Sequence, residues 1–94
     1  MDGREIELHS EVEKWFANLD EPSQDRAARV IDLLAEHGEK LRGPHSKSLG
    51  RGLFKLHFAL RDEARRITYR FAPDGRIVLL TTFRKQRDKR APRG

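Results

Sequence analysis

The sequence predicts a small α+β domain in which one strand, a helical hairpin and a three-stranded antiparallel meander pack together. Three observations predict it. Apolar residues repeat with helical period between Val12 and Leu34, and they switch to period two from Leu53 onward. Polar turn signals separate the second half into three runs of strand length. Finally, 94 residues, 36% of them hydrophobic, leave room for one core and no second domain.

Taken in chain order, Ile6 and Leu8 alternate with Glu5 and Glu7, which suits a short edge strand. Ser10 and Glu13 have capping-box spacing, so a helix should begin there with Ser10 as its cap. Val12, Trp15, Phe16 and Leu19 form its apolar stripe, and the helix should end near Asp20. Pro22 fits the first turn of a second helix whose stripe is Ala27, Val30, Ile31 and Leu34, with Gly38 as its C-terminal cap. Residues 41–52, rich in glycine and carrying Arg42, Lys47 and Arg51, read as a basic loop. Phe54, Leu56, Phe58 and Leu60 then alternate as one strand, and Ile67, Tyr69 and Phe71 as another. Arg61-Asp62-Glu63 and Pro73-Asp74-Gly75 supply the turns. The run from Ile77 to Leu80 is apolar on both faces, as a mid-sheet strand would be. The single domain is expected over residues 1–86, followed by a basic, soft tail over 87–94.

Charge is segregated along the chain. Residues 1–41 sum to −6 and residues 42–94 to +11, for +5 overall. Such a basic half favours a polyanionic partner. The chain has no cysteine, which removes disulfide scaffolds, thiolate metal sites and thiol nucleophiles. No apolar run approaches the ~20 residues of a membrane span, and the acidic start is unlike a signal peptide. The expectation is therefore a cytoplasmic protein with no membrane partner. His9, His37 and His45 are too scattered to suggest a metal site.

If Phe54, Leu56, Phe58, Ile67, Tyr69 and Phe71 face the helices, alternation sends Lys55, His57, Arg66, Thr68 and Arg70 to the other face. Cations in neighbouring strands repel, and a polyanion relieves that cost. Cleaving an RNA phosphodiester without metal needs a base for the 2′-hydroxyl, cations for the charge developing on phosphate and an acid for the leaving oxygen. His57 is the one side chain on this face whose ordinary pKa, about 6.5, lies near neutrality, and cationic neighbours would push it down. Arg66 offers a planar fork for phosphate. Lys47, Arg51, Arg70, Arg87 and Arg90 are candidates for general RNA contacts. A solvated outer face is the plain alternative. A non-catalytic basic module that binds RNA or the ribosome uses the same charges, and a structural phage accessory protein would need none of them.

Leu53-Phe54-Lys55-Leu56-His57, Arg66-Ile67-Thr68-Tyr69-Arg70-Phe71 and Ile77 through Phe83-Arg84-Lys85 together resemble the RelE/HigB-like toxin family of the RelE/ParE superfamily, especially its phage-derived Gp49-like branch. The resemblance runs over about residues 4–90. It implies a RelE-like fold and a ribosome-dependent mRNA endonuclease, the toxin of a type II toxin–antitoxin pair. Attack by the substrate's own 2′-hydroxyl would give a 2′,3′-cyclic phosphate and a 5′-hydroxyl with no metal or cofactor. The implied partners are mRNA on the ribosome and a neighbouring antitoxin, commonly a helix-turn-helix protein of HigA-like type. By the same resemblance Lys55, His57, Arg66, Arg84 and Lys85 stand where the family has catalytic residues. Some relatives carry a catalytic Tyr or His near the C-terminus, whereas Arg87 to Gly94 contains neither.

Overall fold

A computed structural model describes residues 4–41, 46–61 and 63–84. Strand β1 (Ile6–Leu8) leads into helices α1 (Ser10–Ala17) and α2 (Glu21–His37), and a 3₁₀ turn at Gly38–Lys40 closes the helical half. Strands β2 (Ser46–Gly50), β3 (Leu53–Ala59), β4 (Ala64–Phe71) and β5 (Ile77–Arg84) follow. They form one five-stranded sheet in the order β1-β5-β4-β3-β2. The β2–β5 pairs are all antiparallel, and β1 lies parallel to β5 with Ile6 opposite Ile77. The strand, helix pair and meander expected from the sequence are present, with β5 inside the sheet and β1 at its edge.

Two local expectations are corrected. The segment read as a basic loop over 41–52 contains β2, which pairs with β3 through Ser46–Leu56, Lys47–Lys55 and Ser48–Phe54. Its sequence, Ser-Lys-Ser-Leu-Gly, has no alternation of apolar residues because four of its five residues are exposed; the ladder to β3 makes it a strand. Lys47, expected in an adaptable loop, is therefore fixed on a strand. Arg51 and Gly52 form the turn into β3, and they and Gly50 at the end of β2 have positive φ, at 91° for Gly50, 55° for Arg51 and 77° for Gly52; residues 42–45 of the expected loop, Arg42 among them, lie outside the described residues. The second correction is the cap of α1. His9 precedes the helix, no side chain caps it, and Ser10 is already helical, so the capping box does not form. Glu11 instead accepts a hydrogen bond from the Thr82 backbone N–H at 3.1 Å, tying α1 to β5.

Helix α2 is capped by Asp20, whose carboxylate accepts from the Ser23 N–H at 2.9 Å; hydrogen bonding by the Ser23 side chain first, and by this backbone N–H second, holds the Asp20 pKa below its usual value. Gly38 ends the helix at φ +55° and lies against Arg4, so a side chain there would meet both strain and the Arg4 guanidinium.

The core forms where the helical stripes meet one face of the sheet. Val12, Ala27, Ile31 and Leu34 pack on Leu56, Phe58, Ile67, Tyr69, Ile77 and Leu79. Each large side chain buried there contributes about 1.5–3 kcal/mol. Trp15 and Phe16 take part as half-buried members, with the Trp15 ring 6.3 Å from that of Phe58. Tyr69 is stacked on Phe54 at 5.4 Å, and its hydroxyl shares a 2.5 Å hydrogen bond with Ser46 of β2. Burial raises the Tyr69 pKa above its ordinary value.

One irregularity decides what the other face displays. Along β4 and β5, Thr68 is opposite Thr81 but Tyr69 is opposite Leu79, so Leu80 is an extra residue in a bulge. A one-residue insertion reverses the sidedness of everything beyond it. Ile77 and Leu79 face the helices, yet Thr81 and Phe83 lie on the outer face, and Thr82 and Arg84 fall on the helix side.

Candidate functional site

The outer face of the sheet is built from cross-strand rows. In the row next to the Ala59–Ala64 pair that borders the β3–β4 turn, His57 is directly opposite Arg66, and Arg66 is directly opposite Phe83. The next row holds Lys47, Lys55, Thr68 and Thr81. The third contains Leu53, Arg70, Val78 and Glu7. Lys55, His57, Arg66 and Arg70 thus share one face, as the alternation predicts, and Lys47 joins them from β2. Lys47 directly opposite Lys55 is a like-charge pair of the kind that destabilises a sheet.

Within this face the polar contacts are specific. Thr68 and Thr81 hydroxyls meet at 2.6 Å, and the Thr81 N–H donates to Thr68 Oγ1 at 3.2 Å. This pair ties β4 to β5 within the row of Lys47 and Lys55. Arg66 is half-buried, its guanidinium carbon is 5.8 Å from the centre of the Phe83 ring, and its Nε is buried with no hydrogen-bond partner among the described residues. A buried, unmatched charged donor costs about 1–3 kcal/mol or more.

Arg84 is not brought to this row. It lies on the helix side opposite Arg65, and its Nε contacts Glu63 Oε1 at 2.9 Å. Arg51 sits exposed in the β2–β3 turn, and Arg70 is exposed one row from Lys55. Lys85, Arg87 and Arg90, with the whole expected tail, lie outside the described residues. Among the described residues no three His, Asp or Glu side chains gather where they could hold a metal. No described helix is long and apolar enough to cross a membrane.

Arg65, which the sequence did not single out, turns out to be the structural counterpart of Arg66. Its Nε donates to Thr82 Oγ1 at 3.0 Å, its NH1 reaches Glu63 at 3.4 Å, and its guanidinium carbon lies 5.0 Å from the centre of the Trp15 ring. Thr82 in turn donates to the Arg66 carbonyl oxygen at 3.0 Å. Two adjacent arginines on one strand therefore divide their work. Arg65 locks the helices, β4 and β5 together, while Arg66 presents its fork on the open face. The signal available in sequence was parity, since Arg65 shares the period of Ile67 and Tyr69.

No curated protein matches the chain. Residues 14–94 match the family described as phage-derived protein Gp49-like (DUF891), a family of the RelE toxin-like group. That stretch spans the second half of α1, all of α2, the four antiparallel strands and every cation of the outer face, so the chain belongs to the phage-derived Gp49-like family.

Proposed function

We propose that this protein is the toxin of a type II toxin–antitoxin pair and cleaves mRNA on the ribosome by attack of the 2′-hydroxyl, without a metal. Membership of a toxin-like family supports the class. The observation that carries the chemistry is the row in which His57 stands directly across from Arg66, with the Arg66 Nε left unsatisfied. In this reading His57 takes the proton from the 2′-hydroxyl, the oxygen bonds to phosphorus, and the bond from phosphorus to the 5′ oxygen breaks. Arg66 and Lys55 neutralise the charge that develops on the phosphoryl oxygens, a role in which one preorganised donor commonly accounts for 10²- to 10³-fold in rate. The protonated imidazole is then available to return a proton to the leaving oxygen. Lys47, Arg51 and Arg70 hold the flanking phosphates. Lys85, outside the described residues, is proposed as a further catalytic cation, and Arg87 and Arg90 as further cations for RNA phosphates. The partner is an antitoxin encoded beside the gene, of helix-turn-helix, HigA-like type.

A second reading, a non-catalytic module that blocks translation by occupying RNA or the ribosome, is favoured by one observation. Arg84 is engaged by Glu63 on the opposite face and does not reach the row of His57. Expression with and without the neighbouring gene, combined with mapping of mRNA 5′ ends and analysis of the product termini, separates the two. Cyclic 2′,3′-phosphate ends that vanish on co-expression support the nuclease. Intact mRNA in translation-arrested cells supports occupancy.

A further inference from the structure

Phe83 is a large apolar side chain, 42% exposed, at the end of the row of His57 and Arg66 and beside the row of Lys47, Lys55, Thr68 and Thr81. The core does not need it there. The bulge at Leu80 turns Thr82 inward and Phe83 outward, so the aromatic ring completes the row that begins with His57 and continues through Arg66. The Arg66 guanidinium is 5.8 Å from the ring centre, close to the outer limit of about 6 Å for a cation–π contact. The arginine thus lies over the ring at the far end of that range, in a weak contact that a stacked base could replace. Surfaces that bind single-stranded nucleic acid combine these two parts, a cation for the backbone and an exposed aromatic face on which a base stacks.

From this juxtaposition we infer that Phe83 is a stacking platform for one base of single-stranded RNA, the nucleotide whose phosphate Arg66 holds. The inference rests on the proposed RNA-directed function and adds a base contact to a face so far described only through phosphate. Stacking is tolerant of base identity, so Phe83 orders the nucleotide without selecting a sequence.

The test measures affinity of wild-type protein, Phe83→Leu and Phe83→Trp for a short single-stranded oligoribonucleotide and for an abasic ribose-phosphate oligomer of the same length. Phe83→Leu should weaken binding of the oligoribonucleotide roughly five- to 150-fold, the range for loss of one aromatic platform, and leave the abasic oligomer unaffected. Phe83→Trp should retain affinity, and its fluorescence should be quenched by the oligoribonucleotide beyond any change in the wild type, whose sole tryptophan is Trp15. Equal affinity of Phe83→Leu and wild type overturns the inference, as does an equal loss for both oligomers, which would assign the ring to supporting Arg66. The absence of added quenching in Phe83→Trp overturns it without relying on the leucine variant. Wild-type protein that binds neither oligomer overturns the stacking role, while the proposed cleavage of ribosome-bound mRNA fails separately, if the mapped mRNA 5′ ends show no cutting.

Discussion

Replacing Arg66 by alanine and, separately, its neighbour Arg65 by alanine should give opposite phenotypes, because the two side chains point to opposite faces of β4. For Arg66→Ala the internal losses are small. Its Nε has no partner to leave behind, and the Phe83 contact is a half-exposed cation–π pair of about 0.5–1 kcal/mol. If Arg66 stabilises the phosphoryl charge, cleavage should fall about 10²- to 10³-fold, the equivalent of roughly 2.7–4 kcal/mol of transition-state stabilisation. Arg65→Ala removes a charged hydrogen bond to Thr82, the link to Glu63 and the contact with Trp15, from a side chain only 15% exposed. A lost charged hydrogen bond alone costs about 1.5–3 kcal/mol, which in a domain of this size lowers Tm on the order of 10 °C. Its intrinsic cleavage, measured well below that Tm, should stay within a few-fold of wild type. The assays are thermal unfolding followed by circular dichroism, and the rate of appearance of new mRNA 5′ ends in a translating extract. A folded Arg66→Ala protein that cuts at the wild-type rate refutes the role given to Arg66. A Tm loss in Arg66→Ala equal to that in Arg65→Ala refutes the division of labour between the two.

Three further expectations follow from the same geometry. If His57 accepts the 2′ proton, single-turnover cleavage should fall as pH drops through its pKa, since the imidazolium cannot accept a proton; His57→Gln should lose both activity and that acidic limb, and a limb that persists in the variant assigns the titration elsewhere. Tyr69 has its pKa raised by burial, so the unfolded chain releases the phenolic proton first: stability should be full below about pH 10 and decline as pH rises toward the folded pKa. Because Tyr69 is the only tyrosine, phenolate absorbance reads this directly, and Tyr69→Phe should flatten the alkaline decline while costing about 0.5–1.5 kcal/mol for the lost Ser46 hydrogen bond; an ordinary phenol titration would contradict the buried, bonded hydroxyl. Neutralising Lys47 and Arg51 together should flatten the salt dependence of RNA binding by about 1.4 in log–log slope if each meets one phosphate, and an unchanged slope in that titration assigns them to solvent or to a protein partner.

Alternation is a local property of an extended chain, and for that reason the sequence alone determined much of this protein. Phe54, Leu56, Phe58, Ile67, Tyr69 and Phe71 could be assigned to the core side, and Lys55, His57, Arg66 and Arg70 to the other, before any partner strand was known. The helical stripes of Val12 through Leu34 were legible for the same reason. Register was not, because it depends on which residues of separate strands meet: the antiparallel pairing of β3 and β4 put Arg66 across from His57 and Thr68 across from Lys55. Strand β2 was hidden because both its faces are largely exposed, so no hydrophobic pattern marks it and only the ladder to β3 reveals it. The bulge at Leu80 carries the sharpest lesson. Simple alternation from Ile77 and Leu79 would have buried Phe83 and set Arg84 beside Arg66. One extra residue in β5 reversed that order, handing Arg84 to Glu63 on the helix side and exposing Phe83 at the end of the cationic row, and only the tertiary pairing of β4 with β5 could decide it.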